Sequence, residues 1–290
     1  MKNPTLTAVP GVRAGHWTHP GGETGVTVAL FLEGAIAGGF VPGHAPGSRE
    51  LGLLDPTHLA GRVHGFCFAG GSAFGLAAAD GVMAWLAEQG VGFPTSVAPV
   101  PLVPAAILFD LKEGRPRPDR DAGYTAAAGA SDAPLPTGRV GAGAGATVAS
   151  VTGVPRPGGL GSVSAPVGAW TVGAAVAVNA FGAVRDPDTG AWVAGDDTWE
   201  AAVLPAFHGN TTLAMVATDA PLDRAQANVV ARMAAAGFAR TLYPAYAPFD
   251  GDTVFVASTG RGEPLDPIML SLVGHAAARC VARAIVEAVQ

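Results

Sequence analysis

The run Leu213-Ala214-Met215-Val216-Ala217-Thr218 carries no polar side chain until its last residue. A strand that does not alternate needs cover on both faces, so this segment reads as a buried strand between neighbours in a layered sheet. It begins at Thr211-Thr212, which follow Phe207-His208-Gly209-Asn210. A permissive Gly-Asn pair therefore meets a hydroxyl residue at the mouth of a buried strand. If the Asn210–Thr211 bond were cut, Thr211 would carry a free α-amine beside its own hydroxyl. An amine with a pKa of about 8 can serve as the base that activates so weak a nucleophile. The same residues also read as an ordinary turn entering a strand, because Asn and Gly are the default turn residues.

With 290 residues, 49% of them hydrophobic and only 14% charged, the chain can bury a substantial core. Its 41 glycines and 24 prolines fall between apolar runs, which predicts many tight connections. A formal charge of −6 without a basic cluster argues against a nucleic-acid or anionic-membrane partner. Cys67 and Cys280 both sit among apolar residues and read as free buried thiols. The seven histidines are scattered; His16 with His19 is the one close pair and lacks acidic neighbours, so neither a metal nor a cofactor is expected. The N-terminus shows no signal-peptide pattern, and no apolar run of about 18 residues escapes Gly, Pro or polar breaks. A soluble cytoplasmic protein is the expectation.

Along the chain, residues 1–25 are turn-rich, and Val26–Leu32 and Gly34–Val41 read as two strands joined at Glu33-Gly34. The segment from Pro42 to Glu50 is a loop by its Pro and Gly content. A short apolar run from His64 to Ala69 leads into Gly70-Gly71-Ser72-Ala73-Phe74-Gly75 and a helix over Leu76–Gln89, stopped by Gly90. That turn could present N–H groups to an oxygen, or serve close helix–sheet packing. Pro99–Leu111 reads as an edge strand, 112–123 as an exposed charged loop, and Tyr124–Ala130 as a short helix. The small residues of Gly141–Ala146 suit close backbone approach. Trp170–Asn179 is a strand ending in an amide that could cap a turn or donate to an oxyanion. Asp186–Gly190 marks a hairpin, and residues 191–209 form a linker-like approach to Asn210. The remainder runs strand, helix over Leu222–Phe238, strand over Thr253–Ser258, and helix over Pro267–Val289, with Ile268, Leu272, His275 and Ala276 on the inner side.

Several short motifs recur in a fixed order: Leu6 to His16, Ala45-Pro46-Gly47-Ser48-Arg49-Glu50, Gly70 to Leu76, Val103 to Asp110, Gly141 to Ala146, and Gly209-Asn210-Thr211-Thr212. In this order they resemble the self-processing D-aminopeptidase/β-aminopeptidase family over essentially the full length, and within it the 6-aminohexanoate-oligomer hydrolase branch. The resemblance implies an α/β fold, a layered αββα sandwich like that of N-terminal-nucleophile hydrolases, with the connectivity of ornithine acetyltransferases. It implies one catalytic domain, 1–290, that cuts itself at Asn210–Thr211 into 1–210 and 211–290 and uses Thr211 as nucleophile. The branch's two aspartates match Asp250 and Asp252, and its oxyanion asparagine matches Asn179. It also implies a homo-oligomer, a tetramer in the family. One departure is visible: where many relatives carry lysines, this chain has Ser150 and Pro157.

The chemistry is coherent on the residues alone. Two neighbouring carboxylates do not both ionise comfortably and can share a proton. Such a pair could orient the Thr211 hydroxyl and hold its ammonium, though Asp-Gly-Asp is also a common turn. The expected activity is hydrolysis of small amino-acyl amides or short D-, β- or ω-amino-acid peptides through an acyl-enzyme on Thr211, the two cleaved fragments staying together. An acyltransferase of the ornithine type, or a non-catalytic scaffold, are the alternatives.

Overall fold

The computed structural model describes residues 3–198 and 209–290. Among these, nine strands form one continuous sheet: β1 (Arg13–Thr18), β2 (Gly25–Phe40), β3 (Gly47–Arg49), β4 (Val63–Ala69), β5 (Ala105–Ile107), β6 (Gly159–Val167), β7 (Trp170–Asn179), β8 (Thr211–Thr218) and β9 (Thr253–Ser258). Their order is β3-β5-β4-β2-β9-β8-β7-β6, with β1 beside β2. The β8/β9 and β4/β5 pairs are parallel, and the other adjacent pairs are antiparallel.

The sheet is folded on itself through β2. Residues Val26–Leu30 pair with β4, whereas Ile36–Phe40 pair with β9, and the register shifts between Leu30 and Ala35. Two strands were expected here; Gly34, at φ +71, bends one sixteen-residue strand instead of ending it. Side-chain alternation then sorts the layers. Phe31, Phe66, Phe68, Leu213, Met215 and Phe255 fill the space between the two halves of the sheet. Val28, Leu30 and Cys67 point the other way, under α1 (Ala78–Glu88) and α2 (Arg120–Ala128). On the opposite side Ala214, Val216, Val254 and Val256 meet α3 (Arg224–Thr241) and α4 (Pro267–Glu287). The result is helix, sheet, sheet, helix, the layered αββα arrangement expected, and it explains why β8 shows no polar face.

Local chemistry accounts for the helices. Asp223 and Gln226 form a reciprocal capping box at α3. Asp266 accepts from the Ile268 and Met269 N–H groups at α4, with Pro267 in the first turn. At the crossing of α1 and α2, a Cβ on Gly81 would lie 1.8 Å from the Arg120 carbonyl oxygen, and one on Gly123 1.8 Å from that of Ala78. These glycines set the closeness of the helix pair.

Other expectations need correction. β1 lies within the stretch read as turns, because its partner strand and not its own pattern makes it a strand. Pro99–Leu111 contributes only the three residues of β5, which sit between β3 and β4 and not at an edge. α2 begins inside the charged segment, capped by Asp119. On α4 the buried stripe is Val273, Ala277, Cys280, Val281, Ala284 and Ile285, whereas Ile268 is 74% and Leu272 49% exposed and His275 is exposed. The expected inner face was rotated by about a third of a turn, since both stripes are apolar. By length and composition α4 is also apolar enough to cross a bilayer, although Ser271, Gly274, His275, Arg279 and Arg283 interrupt it as the sequence reading had it, and its apolar stripe covers the sheet.

Phe255 is where the two halves of the sheet meet: it is fully buried, with its ring 5.2 Å from that of Phe66 and 5.6 Å from that of Phe68. Phe255→Ala is expected to lower the unfolding free energy by about 3–5 kcal/mol, read as a reduced denaturant midpoint. A loss below about 1 kcal/mol would mean that this contact does not hold the layers together.

Candidate active site

The site grows out of strand register. In the parallel pair, Leu213 lies opposite Thr253, and one bridge further back Asn210 lies opposite Asp250. On the other side β8 runs antiparallel to β7 with Thr211 opposite Asn179. Residues distant in sequence are thereby set side by side: Asn179, Asn210, Thr211, Asp250 and Asp252. All five are between 1% and 4% exposed. Phe207 and His208 lie outside the described residues.

Alternation sends the Thr211 side chain toward the inter-sheet space shared by Leu213 and Met215, and Thr212 toward the α3/α4 side. The Thr211 hydroxyl donates to the carbonyl oxygen of Asn210, the residue before it. The Gly251 N–H points to both: it is 3.2 Å from Thr211 Oγ1 and 3.4 Å from the Asn210 oxygen. A hydroxyl, the preceding carbonyl and an N–H donor thus converge. Gly251 has a packing reason too, since a Cβ there would lie 2.8 Å from Thr211 Oγ1.

The two acids flank this glycine. Asp252 Oδ1 accepts from the Thr212 N–H at 2.7 Å and its Oδ2 from the Tyr246 N–H at 3.2 Å. Asp250 Oδ2 accepts from the Ala247 N–H at 3.2 Å, and its buried Oδ1 has no hydrogen-bond partner. Burial, and then the Asp252 charge, push the Asp250 carboxyl up to about 8. Burial pushes Asp252 up to about 6, restrained by its two N–H donors. Near neutrality the pair therefore holds a proton between them. The Gly43–Ala45 loop lies over the turn, donating from Gly43 to the Asp252 carbonyl at 3.1 Å and from His44 and Ala45 to that of Asp250 at 2.8 and 2.9 Å.

Asn179 is held at both ends of its amide: Nδ2 donates to the Phe109 carbonyl at 3.0 Å and Oδ1 accepts from the Thr147 N–H at 2.9 Å. In the intact chain one amide hydrogen is thus engaged, and Asn179 fixes the Phe109 segment. The Phe109 ring in turn closes on Gly209, where a Cβ would lie 2.9 Å from it. Sequence reading missed Phe109, Tyr246 and Ala247, which act through backbone groups or packing and carry no chemical signature.

Other candidates fall away. In the Gly70–Gly75 turn the first three N–H groups are committed, Gly70 to the Gly25 carbonyl at 3.0 Å, Gly71 to Asp110 Oδ1 at 2.6 Å and Ser72 to the Leu108 carbonyl at 3.1 Å. Arg49 pairs with Asp80 at 2.7 Å, away from the acids. Ser150 is half-buried in a 3-10 turn and Pro157 is exposed. Among the described residues no group of three His, Cys, Asp or Glu could hold a metal ion. A cavity of about 430 Å³ opens at the opposite end of β8 and β9, lined by Arg13, Asp219, Thr259 and Arg261. It is far from Thr211 along the strands and takes no part in this chemistry.

Comparison with known proteins gives the chain a family. The model of peptidase family S58 matches residues 4–290. An uncharacterised aminopeptidase of Mycobacterium tuberculosis is 39% identical over 327 residues, covering 98% of this chain and 93% of that one. A 6-aminohexanoate-oligomer endohydrolase of Kocuria sp. is 28% identical, covering 86% of this chain and 73% of that one. The fold matches that of the L-aminopeptidase D-Ala-esterase/amidase from Ochrobactrum anthropi, described as a variant of the Ntn hydrolase fold, with a TM-score of 0.76 over 99% of this chain and 86% of that one at 19% identity. With the family match running over nearly its whole length, the chain belongs to peptidase family S58, and its function is that of an aminopeptidase or amide hydrolase.

Proposed function

We propose that the chain cuts itself between Asn210 and Thr211, and that Thr211 is then the N-terminal nucleophile of an enzyme acting on small amino-acyl amides. The observation that carries this is the convergence of the Thr211 hydroxyl, the Asn210 carbonyl and the Gly251 N–H. Thr211 Oγ1 attacks the Asn210 carbonyl carbon, and the Gly251 N–H stabilises the oxyanion. The C–N bond breaks as the nitrogen takes a proton, leaving an ester on Thr211. Water hydrolyses the ester to an Asn210 carboxylate and a free Thr211 hydroxyl and α-amine.

In turnover the α-amine accepts the hydroxyl proton as Thr211 attacks a substrate amide and returns it to the leaving amine. The acyl ester is then released by water. Asp252, bonded to the N–H of Thr212, and Asp250 beside it lie where they can order the new ammonium. Their negative charge in a dry site favours substrates with a protonated amine near the scissile bond. Short D-, β- or ω-amino-acid peptides fit that description. The 6-aminohexanoate oligomers named for the Kocuria relative do so as well.

If this is right, the 28.8 kDa chain gives pieces of roughly 21 and 8 kDa, scaled by length, that stay together until denatured. Thr211→Ala abolishes both cutting and hydrolysis, whereas Thr212→Ala spares at least one. Asp250→Asn and Asp252→Asn each lower turnover by about a hundredfold or more. An intact chain after long incubation, without a new Thr N-terminus on sequencing, would sink the self-cleavage reading.

Substrate class is tested with p-nitroanilides of L-, D- and β-alanine and of 6-aminohexanoate. The free amines should react and their N-acetyl forms should be poor substrates; equal rates would remove the ammonium argument. Transfer of the acyl group mainly to an added amine would instead make the enzyme an acyltransferase.

The acids also predict a stability profile. Both folded-state values lie above the ordinary carboxylate value of 3.8, so the native chain holds protons that the unfolded chain releases. The pair's favourable contribution is complete below 3.8 and is lost as pH rises through about 6 and about 8. In the uncut Thr211→Ala chain, adding Asp250→Asn should therefore flatten the fall in urea midpoint across that range. Parallel curves with and without Asp250→Asn would contradict the raised values.

A further inference from the structure

Among the described residues the acid pair has no ion-pair partner. Among the described residues the ion pairs are His19–Glu23, Arg49–Asp80, Arg120–Asp121, Arg261–Glu33 and Arg283–Asp188, and none involves Asp250 or Asp252. What faces their carboxylates is a set of backbone donors: Thr212 and Tyr246 on Asp252, and Ala247 on Asp250. Two of these three N–H groups are consecutive in the chain.

Tyr246 is the reason they can be. Its backbone is left-handed, at φ 58, a region that a bulky residue adopts only under constraint. Successive N–H groups at such a residue turn into one concavity that can hold anionic oxygens. The constraint comes from the side chain. The Tyr246 hydroxyl donates to the Ala235 carbonyl on α3, and its ring lies 6.2 Å from that of Phe238 on the same helix. The Asp250 N–H closes the loop on the Ala247 carbonyl at 2.8 Å.

We propose that Tyr246 is a positioning residue for the reaction: tethered to α3, it holds the two N–H groups that place the Asp250 and Asp252 carboxylates. The inference rests on the reading that these acids serve Thr211. Among the described residues the titratable groups around the pair are few. The turn contributes the acids themselves, and α3's flank the Tyr246 phenol, which burial and then the Asp252 charge raise above its usual range. The loop over the turn contributes His44, exposed and joined to Asp250 through its backbone N–H. In the self-cleaved enzyme the Thr211 α-amine titrates beside the acids, so a shift in the acidic limb of the activity profile reports on that amine together with the acids that hold it.

Three variants separate tether from backbone. Tyr246→Phe removes the hydroxyl, Tyr246→Gly accepts the left-handed conformation freely, and Tyr246→Ala loses the side chain and disfavours that conformation. For the self-cleaved enzyme, Tyr246→Phe should lower kcat about tenfold with little change in KM and move the acidic limb upward by about half a pH unit or more. Tyr246→Gly should keep more activity than Tyr246→Ala. A residue that merely packs would lower thermal stability in all three and leave the limb in place, which overturns the proposal. A measurement without these variants uses the full-length Thr211→Ala chain: the Tyr246 and Ala247 amide NMR signals should titrate together as the acids ionise. Signals that stay flat through that titration also overturn it, and this result decides the matter should the variants fail to fold. The Thr211 reading fails separately, if the unsubstituted chain stays intact or if Thr211→Ala still cuts or hydrolyses.

Discussion

The parallel register of β8 on β9 is the constraint from which the site follows. With Leu213 opposite Thr253, the residues entering the two strands are forced together, and Asn210 comes to lie beside Asp250. A slip of one residue would turn Leu213 and Met215 from the inter-sheet core toward the helices, so the packing of both layers enforces the register. Alignment of the candidate site residues and core packing are thus one requirement. The antiparallel contact with β7 adds Asn179 by the same logic.

Electrostatics set the second demand. Two acids, 3% and 1% exposed, sit side by side with no ion-pair partner among the described residues, an arrangement that would be costly if both were ionised. The structure meets it with backbone N–H donors, and burial raises the proton affinity of both carboxyls. A neutral or singly charged pair can accept a newly formed ammonium far more readily than a pair already neutralised by arginine. Catalysis on the proposed route would benefit from that vacancy of positive charge, and the stability of the uncut chain would suffer from it at high pH.

Burial also shapes the order of events. In the intact chain Thr211 is 3% exposed, and Phe109 closes against Gly209. The dry surroundings strengthen the Gly251 donor where a negative oxygen would form. On the proposed mechanism, the first carbonyl to reach the nucleophile is therefore the chain's own, and small substrates follow once the Asn210 end can leave.

Much of this was legible before any coordinates. A run with no polar face demanded a two-sided sheet, and the hydroxyl at its mouth, the Asp-Gly-Asp turn and the terminal amide Asn179 are short-range chemical patterns that a linear reading can find. The strands β7, β8 and β9 and the stop of α1 at Gly90 followed from local residues alone. What stayed hidden depends on partners. β1 is a strand only because β2 lies beside it, the three residues of β5 are interior only because the distant β3 pairs along their outer side, and the buried side of α4 was misjudged because an apolar helix does not say which stripe the sheet will cover. The same holds at the site: sequence named the acids, but their proton affinities and the left-handed Tyr246 that serves them arise from burial and from a tether to a distant helix. Local propensity and residue chemistry are written along the chain, whereas register, dielectric and backbone strain exist only once the layers have closed.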